Sequence, residues 1–258
     1  MHEDQKQHVV RALSQDMRYD GRKKLEYRAI EVESDVSNTA EGSARVKIGD
    51  TEVIAGVKMS IETPYPDTPD QGNLMVGAEL LPLSSNEFEP GPPAIDAIEL
   101  ARVMDRSVRE SGAMDIKKLC IKKGEQVWTI SCDLCTINDA GNLFDASSLA
   151  ILTALLHTKF PEVKDGVVDY KTKSKKKLPL DKQPLAITVW KVGDQVFCDP
   201  LRKEEQVCDA RLTVGTTEDG KICALQKGGD GPLKAEDIDA MLTLALEKSK
   251  ELRKQVKA

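Results

Sequence analysis

The segment "FCDPLRKEEQVCDARLTV" at residues 197–214 contains residue types that can do chemistry. Its carboxylates are Asp199, Glu204, Glu205 and Asp209. Clustered carboxylates are typical of sites that hold a metal ion or move a proton. Arg211 follows them on the approach to a strand, and a permanently protonated guanidinium is neither a metal ligand nor a general base. The segment is therefore either an acidic site or the remains of one in a protein with another role.

Cysteine and histidine give weaker signals. Cys132 and Cys135 form a CxxC within the strand-like run "VWTISCDLCTI", where their odd spacing places the two side chains on opposite faces. No second CxxC or nearby histidine completes a zinc site, so packing in the core is the favoured interpretation. His157 lies in an apolar helical stretch and is interpreted as structural. We therefore expect no metal ion and no cofactor.

Basic residues form a stripe on one predicted helix. In "PPAIDAIELARVMDRSVRESGA" at 92–113, two prolines precede a helical apolar pattern that Gly112 ends. Because each residue turns a helix by about 100°, Arg102, Arg106 and Arg109 fall together, opposite the apolar side. The stripe could be a solvated face with an Asp105–Arg109 helix pair, or it could follow successive phosphates.

Composition limits the classes of function. The chain has 258 residues, 40% of them hydrophobic, and a net charge of −6, which disfavours general coating of nucleic acid but permits a local basic surface. The charged N-terminus is unlike a signal peptide, and no run is long enough to cross a membrane, so we expect a cytoplasmic protein. The basic run "KTKSKKK" at 171–177 is predicted to be a solvated loop between 161 and 180, with contact to RNA as the alternative.

Strand and helix signals alternate along the chain. β-rich runs turn at Gly49-Asp50, Lys123-Gly124, Gly193-Asp194 and Asp219-Gly220. Helical patterns at about 94–112 and 144–160 follow strands, and a last helix begins near 234. Mixed sheets with helices packed on them indicate an α+β fold in two related halves.

Five segments, in this order, resemble the RNase PH superfamily from about Asp20 to the final helix. They are "YDGRKKLEYRAIEVE", "AEGSARVKIGDTEVIAGVK", "PGPPAIDAIELARVMDRSVR", "INDAGNLFDASSLAILTALL" and "VFCDPLRKEEQVCDARLTV". The resemblance implies a single RNase PH-like domain over 1–258, with an N-terminal helical extension at about 1–18 and a C-terminal helix at about 234–257. The arginine helix and "NDAGNLFDASS" are most similar to the non-catalytic ring subunits of archaeal exosomes.

Members of that superfamily use inorganic phosphate to cleave the last phosphodiester at an RNA 3′ end. The resemblance implies a pair of arginines at positions where this chain has Ile95 and Asp96. It also implies Ser or Thr with Arg after Gly141, where this chain has Asn142 and Leu143. An attacking phosphate would meet a carboxylate and an apolar side chain instead of cations.

A third departure concerns the opening segment. Two aspartates of active members match Glu205 and Arg211, so one carboxylate type is kept and the other is reversed in charge. Since a guanidinium at about 4 Å repels a bound cation, we expect no catalytic residue in this chain. The alternative is an active phosphorolytic exoribonuclease with a rearranged acidic site.

The resemblance also implies partners. It pairs the chain with a catalytic RNase PH-like paralogue, closes three such dimers into a hexameric ring, and adds RNA-binding cap subunits. Single-stranded RNA would be held by Arg102, Arg106 and Arg109 beside the active site of the paralogue. The proline-rich segment at 61–73 is expected near a subunit contact or the pore, or is a plain surface loop.

Overall fold

The first sheet has six strands in the computed structural model, which describes residues 2–164 and 167–256. These are β1 (Ile30–Ser34), β2 (Gly42–Ile48), β3 (Thr51–Glu62), β4 (Asn73–Glu79), β5 (Cys120–Lys122) and β6 (Gln126–Asn138). The order is β1-β2-β3-β6-β4, with β5 also paired to β6. This order places β4 at an edge of the sheet. Only the β4–β6 pair is parallel, so the sheet is mixed.

Side-chain alternation builds this sheet as the sequence predicts. Along β3, Val53, Ala55, Val57 and Met59 are buried, and the residues between them are less so. Gly49 has φ +56° in the β2–β3 turn, a conformation that favours glycine. The predicted turn at Gly49-Asp50 is confirmed.

The second sheet has four antiparallel strands. In chain order these are β9 (Leu185–Val192), β10 (Gln195–Cys198), β11 (Ala210–Thr216) and β12 (Ile222–Gly228), and in space β10-β9-β11-β12. The hairpins turn at Gly193-Asp194 and at Asp219-Gly220, as predicted. This sheet brings the opening segment, which runs from β10 to β11, next to the helices.

Five α-helices accompany the sheets in the described part of the chain. They are α1 (His2–Ser14), α2 (Ile95–Glu110), α3 (Leu143–His157), α4 (Arg202–Glu205) and α5 (Ala235–Arg253), and a 3₁₀ turn covers Ile116–Leu119. Both α2 and α3 contact strands of the two sheets, and α5 packs on β9 and β11. The α+β class is confirmed, and no described helix is long and apolar enough to span a membrane. Residues 1 and 257, at the ends of the predicted terminal helices, lie outside the described residues.

The predicted loop at 161–180 is wrong for most of its length. Strands β7 (Lys159–Lys164) and β8 (Val167–Lys177) pair as a separate antiparallel ribbon that includes the basic run. Apolar alternation is absent, and the ribbon packs against the core where β7 starts and β8 ends. There Phe160 packs edge-on against Trp128 with ring centroids 5.4 Å apart, and the ammonium of Lys176 lies 4.6 Å from the Phe160 centroid.

A buried carboxylate joins α3 to the second sheet. One oxygen of Asp145 accepts the backbone N–H of Thr188 in β9 at 2.7 Å. The other accepts the Tyr27 hydroxyl at 2.7 Å and the Asn142 side-chain amide at 3.1 Å. The side chain is fully buried, so these bonds are protected from water. Asp145 thereby fixes the N-terminus of α3 against both the first segment of the chain and β9.

This carboxylate predicts a pH-dependent stability. Burial raises the pKa of Asp145 to about 7, and its hydrogen bonds lower the pKa only in part. Between the ordinary pKa of 3.8 and about 7, the folded state binds a proton that the unfolded state has released. The free energy of unfolding therefore falls as pH rises through this range. Asp145→Asn removes the titration, so the variant should gain on wild type by up to roughly 4 kcal/mol between about pH 4 and about pH 8.

Urea unfolding at several pH values measures this difference. Asp194→Asn, at an exposed hairpin turn, is the matched control and should run parallel to wild type. A constant gap between Asp145→Asn and wild type across the pH range would contradict the prediction.

Candidate functional site

The carboxylates of the segment at residues 197–214 do not share a site. Asp199 is fully buried and accepts hydrogen bonds from Arg22 Nη1 at 2.8 Å, from Arg28 Nε at 2.9 Å and Nη2 at 2.7 Å, and from the Asn142 side-chain amide at 2.9 Å. A carboxylate held by two guanidinium groups is charge-compensated. Asp199 therefore anchors the chain between α1 and β1.

Two more acids of this segment have the same task. Glu204 forms a buried ion pair with Arg18, whose guanidinium also donates to the carbonyl of Cys198 at 2.8 Å. Asp209 accepts from Lys6 at 2.5 Å, and its pKa is lowered, because burial is outweighed by that hydrogen bond together with the Gly193 N–H and the charges of Lys6 and Lys191. Among the described residues, no group of three or more His, Cys, Asp or Glu is arranged to hold a metal ion. These carboxylates are therefore paired with cations near the N-terminus, which disfavours the interpretation of the segment as an acidic site.

Glu205 is the remaining carboxylate and lies at the wall of a cavity. One oxygen accepts the backbone N–H of Asn142 at 2.7 Å, and the other faces Arg202 Nη1 at 3.2 Å. Burial raises its pKa to about 7, although both contacts oppose the rise. Because both oxygens are engaged, Glu205 is a tie between α4 and the start of α3.

Arg211 is buried opposite Glu205 in a place built for it. Its Nη2 lies 2.5 Å from an Oε1 of Glu99 in α2, and its guanidinium stacks 4.0 Å from the centroid of Phe144. Gly228 is its cross-strand partner, and a Cβ at that glycine would collide with the guanidinium. The guanidinium of Arg211 is therefore accommodated at this position, because both a counter-ion and the space for the cation are present.

One cavity of about 220 Å³ gathers the three departures from the pattern of the active superfamily members. Asp96, Leu143, Glu205 and Arg211 all line it. The resemblance alone grouped these positions, and the structure places them together. Its walls hold the carboxylates of Asp96, Glu99 and Glu205 and the guanidinium groups of Arg202 and Arg211.

The arginine stripe lies on the exposed side of α2, as predicted. Arg109 donates to the carboxylate of Asp105 from Nε at 2.9 Å and from Nη2 at 2.6 Å. Its Nη2 also donates to the carbonyl of Leu74 in β4 at 2.8 Å. The hydrogen bond with Asp105 raises the pKa of Arg109. Arg102 and Arg106 are exposed and form no ion pair within the described part of the chain. The stripe is therefore two open guanidinium groups followed by one that is held by a helix pair.

These arginines border a groove of about 600 Å³ between α2 and the edge strand β4. Its floor includes small residues, such as Gly77, Ala78 and Ala101, which leave room beside the cations. Such a surface can hold a chain of phosphates by charge without reading its bases.

The weaker candidates are structural where the chain is described. Cys132 is fully buried and Cys135 only partly, consistent with opposite faces of β6, and neither is in a disulfide. His157 Nδ1 lies 2.9 Å from the carbonyl of Thr153 one turn earlier. Sequence reasoning missed Glu99 and Gly228 as the partners of Arg211, because nothing in their local pattern marks them.

Two family models match the chain. Residues 26–161 match domain 1 of the 3′ exoribonuclease family, and residues 182–248 match domain 2. The chain is 46% identical over 237 residues to the exosome complex component Rrp42 of Methanothermobacter thermautotrophicus, covering 91% of this chain and 88% of that protein. It is 44% identical over 251 residues to the protein of the same name in Archaeoglobus fulgidus, covering 97% and 95%.

Solved structures agree with these matches. A chain of the Archaeoglobus fulgidus exosome with RNA bound to the active site superposes with a TM-score of 0.91 at 43% identity, over 99% of each chain. A chain of an archaeal exosome core superposes at 0.86 with 39% identity, over 100% of this chain and 98% of that one. The rice Rrp46 structure, at 19% identity and a TM-score of 0.66 over 92% and 96%, shares the fold. The two family models, the curated relatives and the superpositions together show that the chain belongs to the 3′ exoribonuclease family of RNase PH.

Proposed function

We propose that this chain is the non-catalytic subunit of an exosome-type 3′→5′ phosphorolytic exoribonuclease ring. In this role it supports assembly and holds RNA beside the active site of a catalytic paralogue. The observation on which the proposal depends is the ion pair of the buried Arg211 with the partly exposed Glu99, in the cavity where the departures meet. A fixed cation with its own counter-ion leaves that cavity neither a metal ligand nor a proton acceptor at position 211.

The remaining groups of the cavity do not replace what is lost. Phosphorolysis needs cations or backbone donors around the attacking phosphate and carboxylates free to act. Arg202 lies within 3.2 Å of Glu205 and also pairs with Glu87. Both carboxylate oxygens of Glu205 already accept hydrogen bonds. Arg202 and Glu205 are thus committed to neighbours, which supports a structural role for them.

RNA binding is assigned to the arginine stripe. Arg102 and Arg106 are open on the surface, and Arg109 extends the stripe while its charge is shared with Asp105. Sequence-independent grip suits an exonuclease that must accept every RNA, since phosphates contain no base information.

The relatives are named as exosome components, which supports a place for this chain in such an assembly. In this proposal, the chain pairs with its catalytic paralogue, three pairs close a hexameric ring, and RNA-binding cap subunits dock on that ring. A closed ring requires two different interfaces on each protomer. The proline-rich stretch of 61–73 runs from the end of β3 to the start of β4 and remains the proposed segment near a subunit contact or the pore.

The absence of catalysis can be tested directly. The purified chain should release no nucleoside diphosphate from an RNA 3′ end when phosphate is added. In the complex assembled with the paralogue, Glu205→Gln should change the phosphorolysis rate by less than a few-fold, because Glu205 ties α4 to α3 and contacts no reacting group. Complex mass is the control for assembly. A large loss of rate in a complex of full mass would assign catalysis to this chain.

The stripe predicts the salt dependence of RNA binding. If Arg102 and Arg106 each neutralise one phosphate, the double change to Gln should make the slope of log K against log salt shallower by about 1.4, from roughly 0.7 per phosphate. Adding Arg109→Gln should give less than a further 0.7 or so, since Asp105 already offsets that charge. All RNA sequences should be affected similarly.

The matched control is the double change of Lys123 and Lys250 to Gln, which removes the same net charge at exposed positions elsewhere. Glutamine keeps much of the arginine stem, so folding and ring mass should be unchanged. Wild-type affinity and salt slope in the stripe variant would contradict the prediction and would mean that these arginines do not contact RNA.

A further inference from the structure

The ribbon formed by β7 and β8 reverses the charge of the protein locally. Residues 159–177 contain seven lysines and three acidic residues, whereas the whole chain has a net charge of −6. The ribbon therefore has an excess of positive charge that its own residues do not neutralise.

The strand register concentrates this charge. Lys159 lies directly opposite Lys177, and both side chains are exposed, as is that of Lys175. Like charges at directly opposed positions destabilise a β-pair. None of these three lysines forms an ion pair with a residue that the structure describes. Binding of an anion would relieve the repulsion, so the register itself favours an anionic ligand.

Several lysines elsewhere in the fold are paired with carboxylates. Lys58 pairs with Glu41 at 2.9 Å, Lys122 with Glu125 at 2.7 Å, and Lys248 with Glu251 at 2.9 Å. Local pairing is thus common in this acidic protein. The exposed lysines of the ribbon differ from these because their charge is left open.

The chain that leaves the ribbon passes beside the helix that presents the arginine stripe. After β8, the backbone N–H of Asp181 donates to the carbonyl of Ala113 at 2.7 Å, and Lys182 Nζ donates to the carbonyl of Ser111 at 2.8 Å. Ser111 is the C-terminal cap of α2, two residues after Arg109. The base of the ribbon is therefore fastened to the end of the stripe.

We infer that Lys159, Lys175 and Lys177 form a second contact for the RNA backbone, which this chain uses for RNA longer than the stripe can hold. The inference rests on the proposed RNA-holding function. A lysine ammonium is a compact point charge without the planar fork of arginine, so it binds phosphates without fixing their orientation. Such a contact is sequence-independent and adds length to the binding site without adding specificity.

The test compares fluorescein-labelled oligoadenylates of about 30 and about 8 nucleotides, bound to the assembled complex at several salt concentrations. Lys159, Lys175 and Lys177 are changed together to Gln. The salt slope for the long RNA should become shallower by about 2, from roughly 0.7 for each of three phosphates, with about tenfold weaker binding at low salt. Affinity for the short RNA should stay within about twofold of wild type, because the stripe alone can hold it.

The control changes Lys123, Lys203 and Lys250 to Gln, which lowers the net charge equally at exposed sites away from the ribbon. Equal losses in both triple variants would reduce the effect to net charge and overturn the inference. Loss of complex mass in the ribbon variant would assign these lysines to an interface with another protein and also overturn it. An unchanged long-RNA slope, while the Arg102 and Arg106 variant still loses binding, would reject the ribbon and leave the proposed function standing.

Discussion

The ion pair between the buried Arg211 and the partly exposed Glu99 is the interaction on which the cavity and the helix beside it depend. A guanidinium so deeply buried is tolerable only with a counter-ion and good packing, and this one has Glu99, the face of Phe144 and the space left by Gly228. The pair joins β11 of the second sheet to α2, so the same contact that fills the cavity with fixed charge also holds the helix that presents the arginine stripe. The charge within the cavity and the position of α2 therefore depend on one contact.

The remaining acids of the segment show a related division of labour. Asp199 and Glu204, whose types and spacing indicate chemistry, are neutralised by arginines that precede β1. An ion pair buried in this way contributes little net stability against an apolar alternative, yet removing one partner leaves an uncompensated charge. The N-terminal segment is therefore held in register with the second sheet by charge. The carboxylates of this segment position backbone, and the exposed cations without an ion pair in the described part of the chain include Arg102 and Arg106 on α2 and Lys159, Lys175 and Lys177 on the β7–β8 ribbon.

Much of the fold could be predicted because its signals are local. Alternation gave β3, glycine with a neighbouring aspartate marked the turns at Gly49-Asp50 and Gly193-Asp194, and helical spacing placed Arg102, Arg106 and Arg109 on one face. The ribbon at 159–177 was missed because its strands are held by backbone pairing and by Phe160 against Trp128, so they need no apolar alternation. The ion partners of the acids were missed for another reason. Arg18 and Glu204 are 186 residues apart, and no spacing rule joins residues at that separation.

Arginine appears in this protein in three electrostatic settings, and these settings separate structure from binding better than residue type does. Arg18 and Arg211 are buried and paired, so exchanging water for a carboxylate fixes them in place. Arg109 is half-committed, since Asp105 holds one edge of its guanidinium while part of the side chain stays exposed. Arg102 keeps its full charge toward solvent. A polyanion gains most where no carboxylate must first be displaced, because the phosphate then replaces only water and counter-ions. In an acidic chain, cations that lack an acidic neighbour are therefore the first candidates for contact with a polyanion, and those of the α2 stripe and the ribbon are distinguished because several of them lie together.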